Sequence, residues 1–480
     1  MMTNTFANAV LNQEARTENG MKARLSTADA CTDLFYKIGA SRGKNIIPEF
    51  TAAFVDNPDM AVRIALWARD IRSGAGERQL FKDILLHLET SNNDILFKVL
   101  AKLPELGRWD DLLLNWKLPE TEQFVFGMIK TALESGNGLT AKWMPRKGPI
   151  AIKLRNFLGY TPKFYRKRLV ELTKVVETQM CANKWDEINY SHVPSLASSR
   201  YKKAFWKHSP DKFKAYTEAL ASGDKSVKVN AGAVYPYDIL KDIIGYGRFD
   251  KSKAELDHIT AQWKALPNYV GDSNVLPLVD VSGSMMTYVG SAPNKKSDLT
   301  CMAVAVSLGL YCADKNFGKF KDMFLTFSSK PELLILRGNI VDKIDQMRHS
   351  TWGMSTNLHA ALDLILKTAI SNNVPEAEMP GTLLIMSDMQ FNQCTKHDDS
   401  GFEMIARKYS DSGYKMPAIV FWNLNAYSNV PVAHDISGVA LISGFSPSIL
   451  KSVLAAKLEY MSPASIMRNT VMVPRYDWQK

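Results

Sequence analysis

Three oxygen-bearing side chains stand at alternate positions directly after a short apolar segment. Residues 275–279 have the length and composition of a buried parallel strand, and Asp280, Ser282 and Ser284 follow on one turn. A carboxylate and two small hydroxyls facing one cavity suit Mg²⁺, since this cation keeps several waters and needs few protein carboxylates. The alternative is structural, because serine and aspartate are also common in turns and as helix caps. The pattern predicts a site for Mg²⁺ or another divalent cation.

This stretch resembles the D-x-S-x-S element of the von Willebrand factor A domain, whose metal ion-dependent adhesion site takes further ligands from two later loops. The resemblance implies a hydroxyl on a glycine-bearing loop before a helix, and Thr356 matches that position, although it would also serve as a helix cap. It also implies a carboxylate after another buried strand, and Asp388 follows the apolar residues 382–386. The implied ligand set is Asp280, Ser282, Ser284, Thr356 and Asp388.

Apolar strand-like segments alternate with amphipathic helical segments in the second half of the chain. This alternation predicts a mostly parallel sheet with helices on both faces and with ligands at the carboxyl ends of its strands. Ser297 and Asp298 are the expected N-cap of the first helix. The predicted strands lie near residues 275–280, 323–328, 382–387, 417–422 and 438–443, and the predicted helices near 298–315, 358–370, 401–411 and 446–457.

Helical periodicity dominates before residue 270, and no strand pattern is visible there. Asn57 and Pro58 predict a helix start, a glycine-bearing break at residues 73–76 ends that helix, and another helix follows at once. Successive helices with short connections predict an α-solenoid of stacked hairpins. The predicted fold class is all-α followed by α/β. Its predicted parts are a helical HEAT-like domain at 1–270, a Rossmann-like von Willebrand factor A domain at 271–465, and a tail at 466–480.

A second resemblance concerns motifs in the helical part. Residues 69–78, RDIRSGAGER, resemble the R-D-I-R-x-G-x-G-E-R segment of TROVE-type proteins, the Ro ribonucleoprotein family. The resemblance implies a ring of HEAT-like helices that binds small structured RNAs outside and single-stranded 3′ ends in its hole. For Arg69, Asp70, Arg72 and Arg78 two interpretations stay open, ion pairs across the glycine turn or a basic rim. Similarity to an uncharacterised Ro-like family of plants, viruses and phages lies in 103–112 (LPELGRWDDL), 141–146 (AKWMPR), 185–190 (WDEINY) and 231–236 (AGAVYP).

The positive charge of the chain is concentrated in one segment. The net charge is +10, and residues 142–228 hold 19 Lys and Arg against 7 Asp and Glu, so the remainder is near neutral. Cations at this density attract phosphates, and aromatic residues between them offer stacking surfaces for unpaired bases. The alternative is a solvated face above buried aromatics. The predicted RNA-binding cations are Lys142, Arg146, Lys147, Lys153, Arg155, Lys163, Arg166, Lys167, Arg168, Arg200, Lys202, Lys203 and Lys207.

The sequence lacks the motifs of several other protein classes. No phosphate loop, nucleophile elbow or zinc-ligand spacing is present, and His349 and His359 near the Thr356 loop are interpreted as solvated or capping residues. Five cysteines without a C-x-x-C pair indicate no disulfide framework. No apolar run approaches the roughly 20 residues of a membrane span, and the first residues lack an apolar signal core.

We therefore expect a non-catalytic, cytoplasmic RNA-binding protein that makes no contact with a membrane. The alternative hypothesis is a metal-dependent scaffold or adhesion module, in which a protein partner supplies an acidic residue to the cation and the basic face is merely solvated.

Overall fold

The computed structural model has a helical first part followed by an α/β part. It describes residues 14–173, 175–222, 224, 226–229, 234–244, 251–290, 299–327, 330–349, 356–393, 398–455 and 458–479. The expected N-cap residues 297–298, the loop residues 352–355 and part of the 231–236 motif lie outside this range. The first helices are α1 (Ala30–Ile38), α2 (Ile47–Asp56), α3 (Pro58–Arg69), α4 (Gln79–Ser91), α5 (Asn93–Leu106), α6 (Pro119–Glu134), α7 (Gly138–Trp143), α8 (Pro149–Phe157) and α9 (Pro162–Leu172).

The remaining elements of the helical part form a smaller packing unit and then return to the main body. A separate core cluster contains Val176, Tyr190, Phe205 and Phe213. None of the described helices is long and apolar enough to cross a membrane. The elements are α10 (Val176–Cys181), α11 (Ser195–His208), α12 (Pro210–Ser222), α13 (Pro236–Ile244) and α14 (Lys253–Lys264).

Individual residues explain where α3 begins and why a glycine turn separates it from α4. The Asn57 side chain accepts a hydrogen bond from the Met60 amide, so α3 begins where it was predicted. Gly76 has φ +71°, and a Cβ at this position would lie 1.9 Å from the Tyr235 hydroxyl oxygen. Only glycine fits this close approach in the left-handed region without displacing the ring.

The two ends of the helical part meet beside that turn. Arg42 lies between α1 and α2, and its guanidinium donates hydrogen bonds of 3.0 and 2.6 Å to the Glu77 carboxylate. Phe445 lies under the same guanidinium at 4.5 Å from its ring centre, and Tyr237, on α13, packs edge-on against Phe445 with ring centres 6.3 Å apart. Residues separated by almost two hundred positions are thus held together around one cation.

The α/β part contains a mostly parallel sheet, as predicted. Its described strands lie in the order β5-β4-β3-β6-β7-β8, and only the β4–β5 pair among them is antiparallel. Neighbouring residues of one strand pack into two separate hydrophobic cores, with Val279 on one face of the sheet and Leu278 on the other. Both faces of the sheet are therefore covered. The strands are β3 (Val275–Asp280), β4 (Met323–Phe327), β5 (Glu332–Ile335), β6 (Thr382–Ser387), β7 (Ala418–Asn423) and β8 (Val439–Ser443).

Three of the four helices predicted in this part agree with the structure to within a few residues, and the helices Ile340–Arg348 and Pro463–Val471 were not predicted. Thr300 caps the first helix of this part, since its side chain accepts from the Ala303 amide. The last predicted helix is shorter than expected, because residues 447–449 form a short 3-10 turn before it and the Ser446 side chain caps that turn. The helices are α15 (Cys301–Lys315), α16 (Ile340–Arg348), α17 (Leu358–Ser371), α18 (Gly401–Ser412), α19 (Leu450–Leu454) and α20 (Pro463–Val471).

The prediction of no strand before residue 270 was wrong. β1 (Glu14–Arg16) pairs antiparallel with β2 (Lys22–Arg24). Strands of three residues are too short to show a period of two, and this hairpin is held by contacts with distant loops. β5 was missed for a related reason, because it is a four-residue edge strand.

Both ends of the chain pack across the predicted domain bounds. The Gly39 amide, at the end of α1, donates a 3.0 Å hydrogen bond to the Ser443 hydroxyl at the end of β8. In the predicted tail, Arg475 and Tyr476 contact Asp70 at the end of α3. The division at residues 270 and 465 stays a prediction, and further contacts cross it, such as the 2.9 Å hydrogen bond from Trp263 Nε1 to Asp314 Oδ2.

Candidate functional site

Four of the five predicted metal ligands, Asp280, Ser282, Ser284 and Asp388, lie directly at or after the ends of β3 and β6, at one edge of the sheet. β3 ends with Asp280, β6 ends with Ser387, and Asp388 follows directly. The strands pair in parallel with Val279 opposite Met386, so their carboxyl ends reach the same edge. Because the strand order reverses between β3 and β6, this gap is a topological switch point, where open α/β sheets bind ligands.

Asp280 is fully buried, and two neighbours orient its carboxylate. Its Oδ1 accepts a 2.9 Å hydrogen bond from the Ser282 amide, and its Oδ2 accepts a 2.5 Å hydrogen bond from the Ser387 hydroxyl. Sequence reasoning did not single out Ser387 as a site residue. The available signal was its place directly before Asp388 at the end of a buried strand.

Asp388 is 1% exposed and has one oxygen without a partner. The Gln390 amide donates a 3.2 Å hydrogen bond to its Oδ1, and the Ser284 side chain opposes the rise of its pKa. Its Oδ2 is buried and has no hydrogen-bond partner in the part of the chain that the structure describes. The next residue, Met389, has φ +63°, an uncommon conformation for a non-glycine residue. A ligand that satisfied the free oxygen would offset its cost of burial.

The hydroxyl side chains lie on the two neighbouring loops. The Ser282 and Ser284 hydroxyl oxygens are 3.1 Å apart on the turn after β3. Thr356 is 1% exposed, and its carbonyl oxygen accepts a 3.0 Å hydrogen bond from the Asn392 amide in the loop after β6. The Ser282 amide holds this turn to Asp280, and the Asn392 contact ties the Thr356 segment to the loop after β6.

The electrostatics of this edge favour a cation. Burial raises the pKa of Asp280, and the negative charge of Asp388 raises it further. Burial is also the main cause that raises the pKa of Asp388. Two carboxylates that resist ionising together in a buried site would both ionise readily if a divalent cation bound them. The donor set therefore fits Mg²⁺.

The site differs from clusters rich in carboxylate, histidine or thiolate ligands. Groups of three or more His, Cys, Asp or Glu side chains that could hold a metal are absent from the described residues. The edge at β3 and β6 has two carboxylates and relies on hydroxyl oxygens for its other donors, a composition that suits a hard cation with retained waters.

The two histidines near the Thr356 loop have ordinary local contacts. His349 Nδ1 lies 2.7 Å from the Asp345 carbonyl oxygen, one turn earlier in α16. His359 Nδ1 lies 3.7 Å from an Asp363 carboxylate oxygen on α17. Both contacts agree with capping and surface pairing.

The second predicted site is the basic segment, and its densest part lies on and before α8 and α9. Arg146, Lys147, Lys163, Arg166 and Lys167 are exposed. None of these five has a carboxylate within 4 Å among the described residues, and we call them the α9 cations. Of the other predicted cations, Lys153, Arg200, Lys203 and Lys207 are exposed, and Lys142, Arg155, Arg168 and Lys202 are half-buried.

Part of the predicted RNA-binding set already has partners within the protein. An ion pair reduces the charge that a cation can offer to a phosphate, so these residues contribute less to the basic surface. The pairs are Lys153 with Glu122 at 2.7 Å, Lys202 with Glu255 at 2.7 Å, and Arg168 with Glu171 at 3.9 Å.

The aromatic residues of this segment divide between the core and the surface. Tyr165 and Phe205 are buried, so for these two the core interpretation is correct. Phe157 is 41% exposed and Phe164 is 50% exposed, beside the α9 cations. Tyr160 packs edge-on against Phe164, with ring centres 4.7 Å apart. Phe157 packs edge-on against Phe126, and Phe157 and Phe164 both keep an exposed part on which a base could stack.

The arginines of the 69–78 motif form internal ion pairs. Arg69 is 1% exposed, and its Nε donates a 2.9 Å hydrogen bond to Asp111 Oδ2. The Arg78 guanidinium contacts Asp111 Oδ1 and Asp110 Oδ2, both at 2.6 Å. Burial opposes ionisation of Asp111, yet Arg69 and Arg78 hold its pKa below the usual value. Pairing across the glycine turn is the interpretation that these contacts support.

Asp70, in the same motif, holds the C-terminal tail by accepting hydrogen bonds from it. It is fully buried, and the Arg475 guanidinium and the Tyr476 hydroxyl donate hydrogen bonds of 2.9 and 3.0 Å to its carboxylate. The Arg72 amide donates to it as well, at 2.9 Å, while the Arg72 guanidinium contacts the Glu105 carbonyl oxygen at 2.7 Å. Asp70 therefore joins the motif to the tail, and Arg72 links the motif to the end of α5.

The chain matches two protein families and is similar to a viral protein and to a bacterial protein of known structure. A family described as "Domain of unknown function (DUF2828)" matches residues 17–104 and 153–276, and one described as "Domain of unknown function (DUF7788)" matches residues 274–470. "Uncharacterized protein L728" of Acanthamoeba polyphaga mimivirus is 31% identical, over 94% of this chain and 86% of the viral protein. The crystal structure of the Deinococcus radiodurans RO (RSR) protein matches over 92% of this chain and 93% of that chain, with 14% identity and a TM-score of 0.38, too low to carry an argument.

Proposed function

The chain belongs to the family of the mimivirus protein L728, and from this premise and the two sites above we propose that it is a non-catalytic, Ro-like RNA-binding protein. Its helical part carries the RNA surface on a HEAT-like solenoid. Its α/β part is a Rossmann-like von Willebrand factor A domain that binds Mg²⁺ or another divalent cation.

The observation that carries the RNA half is the group of α9 cations, which have no carboxylate partner among the described residues and lie near exposed rings in the sequence. Arg166 and Lys167 supply sequence-independent attraction to phosphates, which requires charge that nearby carboxylates do not neutralise. Phe157 and Phe164 add surfaces on which unpaired bases can stack. The choice of RNA over DNA rests on the resemblance of residues 69–78 to the TROVE motif.

The closed arrangement of the helical part supports the proposal of a ring. Arg42 pairs with Glu77 from the first hairpins and lies over the Phe445 ring, against which Tyr237 from the last helices packs edge-on. Tyr235 closes on Gly76 in the same region. A solenoid whose first and last units meet in this way encloses a space, and a basic surface on such a body can contact both structured and single-stranded RNA.

The metal half rests on the free oxygen of Asp388. Asp280, Ser282, Ser284, Thr356 and Asp388 would hold the cation. Ser387 orients Asp280 by its hydrogen bond and leaves the remaining oxygens to the cation. A cation held by only two carboxylates keeps electrophilic character, so when bound it would accept a carboxylate oxygen from a partner.

The RNA proposal is tested with the full chain and two labelled RNAs, a short single strand and a small stem-loop. We expect fluorescence anisotropy to show binding of at least one of them at low salt, with affinity that falls steeply as salt rises, because released counterions drive the binding. Absence of measurable binding at low salt would remove the RNA half of the proposal.

A second function, a metal-dependent protein scaffold, is favoured by exposed apolar side chains next to the metal turn. Met286 is 49% exposed and Tyr288 is 59% exposed, and both follow Ser284 closely. Such residues suit contact with a protein whose acidic side chain reaches the cation. Partner capture that withstands both a chelator and Asp280→Ala would contradict this function, provided that the variant keeps the wild-type melting temperature in chelator.

A further inference from the structure

Two arginines meet on one carboxylate beside the turn between α3 and α4. Arg78 donates through Nη2 to Asp110 Oδ2 at 2.6 Å, and Arg108 donates through its own Nη2 to the same oxygen, also at 2.6 Å. Arg108 Nε donates to the other oxygen of Asp110 at 2.9 Å, and Arg78 Nε donates to Asp111 Oδ1 at 2.6 Å. The two guanidinium groups are therefore neighbours, and the carboxylates hold each of them in a fixed orientation.

Each of these guanidinium groups keeps a nitrogen for a ligand. Nη1 of Arg78 and Nη1 of Arg108 have no hydrogen-bond partner within the described parts of the chain. The two side chains are 38% and 30% exposed, so a ligand from solvent can reach them. Arg108 is further fixed by the Trp143 ring, whose centre lies 3.7 Å from its Cζ atom. Rigid, partly exposed guanidinium groups suit the recognition of phosphate oxygens.

A lysine without a carboxylate partner completes the group. The Lys82 amide donates a 3.2 Å hydrogen bond to the Arg78 carbonyl oxygen, which places the two residues on the same side of the first turn of α4. Lys82 is half-buried and has no carboxylate within 4 Å among the described residues. Burial lowers the pKa of Lys82, and the charges of Arg78 and Arg108 lower it further. The carboxylates of Asp111 and Asp110 oppose this shift without reversing it.

The positive charges of this group outnumber its carboxylates. Arg69, which is buried, donates to Asp111 through Nε at 2.9 Å, so Asp111 and Asp110 each already have two arginine partners. Two positive charges remain unbalanced in a partly desolvated place, where an uncompensated charge is costly. The group comprises the cations Arg69, Arg78, Lys82 and Arg108 and the carboxylates Asp110 and Asp111. An anion with two negative charges would restore the balance.

We propose that Arg78, Lys82 and Arg108 bind a phosphate monoester, with the free guanidinium nitrogens and the ammonium group as its hydrogen-bond donors. A phosphate monoester carries a charge of about −1.5 to −2 at pH 7 and three acceptor oxygens, which matches the excess of positive charge. An internal RNA phosphate carries a single negative charge and balances only half of it. The monoester is either the phosphorylated end of an RNA strand, in which case the inference rests on the proposed function, or a free small molecule with the same group.

The first experiment uses the full chain with inorganic phosphate as the probe, in thermal melts at equal ionic strength in chloride and in phosphate. Lys82→Gln removes the unpaired charge and breaks no ion pair. The matched control is Lys102→Gln, because Lys102 on α5 is also half-buried without a carboxylate within 4 Å among the described residues. The general stabilisation by phosphate should be the same in all three proteins. We expect Lys82→Gln to lack about 2 °C of the rise in melting temperature that the wild type and Lys102→Gln show.

The second experiment identifies the source of the phosphate group. Three labelled single-stranded RNAs of one sequence, ending in a 5′-hydroxyl, a 5′-phosphate or a 3′-phosphate, are compared by fluorescence anisotropy. We expect a terminal phosphate to tighten binding to the wild type about tenfold, Lys82→Gln to abolish this advantage, and Lys102→Gln to keep it. Lys82→Arg retains the charge and should keep most of the advantage.

The outcomes separate this site from the proposed RNA surface. An advantage of a terminal phosphate that depends on Lys82 supports the site with an RNA end as its ligand, and a Lys82-dependent effect of inorganic phosphate alone supports it with a small molecule. Responses that do not depend on Lys82 in both experiments would overturn the site, even if RNA binds. Equal losses in Lys82→Gln and Lys102→Gln would also overturn it, because the effect would then reflect general charge. The circular dichroism spectrum of each variant shows that the fold is intact.

Discussion

The Ser387 hydroxyl donates a hydrogen bond to Asp280 Oδ2, and this contact joins the ends of two adjacent parallel strands, β3 and β6. It is a contact between residues more than a hundred positions apart. The bond fixes the orientation of one buried carboxylate, while Asp388, the next residue along, keeps an oxygen without a partner among the described residues. The edge is therefore rigid on the Asp280 side and open to a ligand on the Asp388 side.

The first prediction concerns Asp388→Asn. In chelator, this substitution should leave the melting temperature unchanged or raise it, because it removes one of two buried like charges. With Mg²⁺ in about hundredfold excess over its Kd, the wild type should gain about 2.7 kcal/mol of stability and the variant much less. Thermal melts with and without Mg²⁺ measure both effects, and an equal Mg²⁺ gain in the two proteins would contradict the site.

The second prediction concerns two of the α9 cations. The double substitution Arg166→Gln with Lys167→Gln should weaken RNA binding. It should also lower the slope of log affinity against log salt, by about 0.7 for each phosphate of a single strand that the variant no longer neutralises. The matched control is Lys153→Gln, because Lys153 is already paired with Glu122. Salt titrations by anisotropy give the slopes. A control that weakens binding as much as the double variant would argue against a surface centred on α9.

The third prediction concerns the buried pair Arg69 and Asp111, whose side chains are 1% and 0% exposed. Arg69→Ala leaves a carboxylate in the core without one of its two arginine partners, and we expect the free energy of unfolding to fall by about 3–5 kcal/mol. Lys153→Ala, which breaks an exposed pair, should cost at most about 1 kcal/mol. Urea unfolding measures both. A small effect of Arg69→Ala would mean that Arg78 alone satisfies Asp111.

The fourth prediction concerns pH and His258 on α14. Burial lowers the pKa of His258 to about 4, with a further contribution from the charge of Lys202, and neither ring nitrogen has a hydrogen-bond partner among the described residues. His258 binds a proton near pH 6.5 in the unfolded chain but only near pH 4 in the folded chain. The free energy of unfolding is therefore unaffected by this group above pH 6.5 and decreases as the pH falls from 6.5 to 4.

Substitution His258→Leu should therefore reduce the loss of stability between pH 7 and pH 5 by about 2 kcal/mol. Urea unfolding at the two pH values measures this difference. The control is His208→Leu at an exposed position of α11. This variant should lose as much free energy of unfolding between pH 7 and pH 5 as the wild type. If His258→Leu has the wild-type pH dependence, the buried ring is protonated in the folded protein and the proposed cause is wrong.

The sequence predicted the parts of the molecule that depend on neighbouring residues. The strand before Asp280 and the helix that begins at Pro58 are where periodicity and capping placed them. The helical region and the mostly parallel sheet follow from the same local signals. The short strands β1, β2 and β5 were missed because three or four residues carry too little pattern.

The sequence by itself determined which side chains stand at strand ends and where positive charge accumulates. Alternation, helix period and composition depend only on residues that are close together in the sequence. Only the tertiary structure decided which groups meet. It paired Arg69 with Asp111, brought Arg475 of the tail to Asp70, and placed Glu18 beside the loop of Asp388. The reason is physical, since these contacts join residues tens to hundreds of positions apart, and burial and pairing of charge depend on the packing of the whole chain.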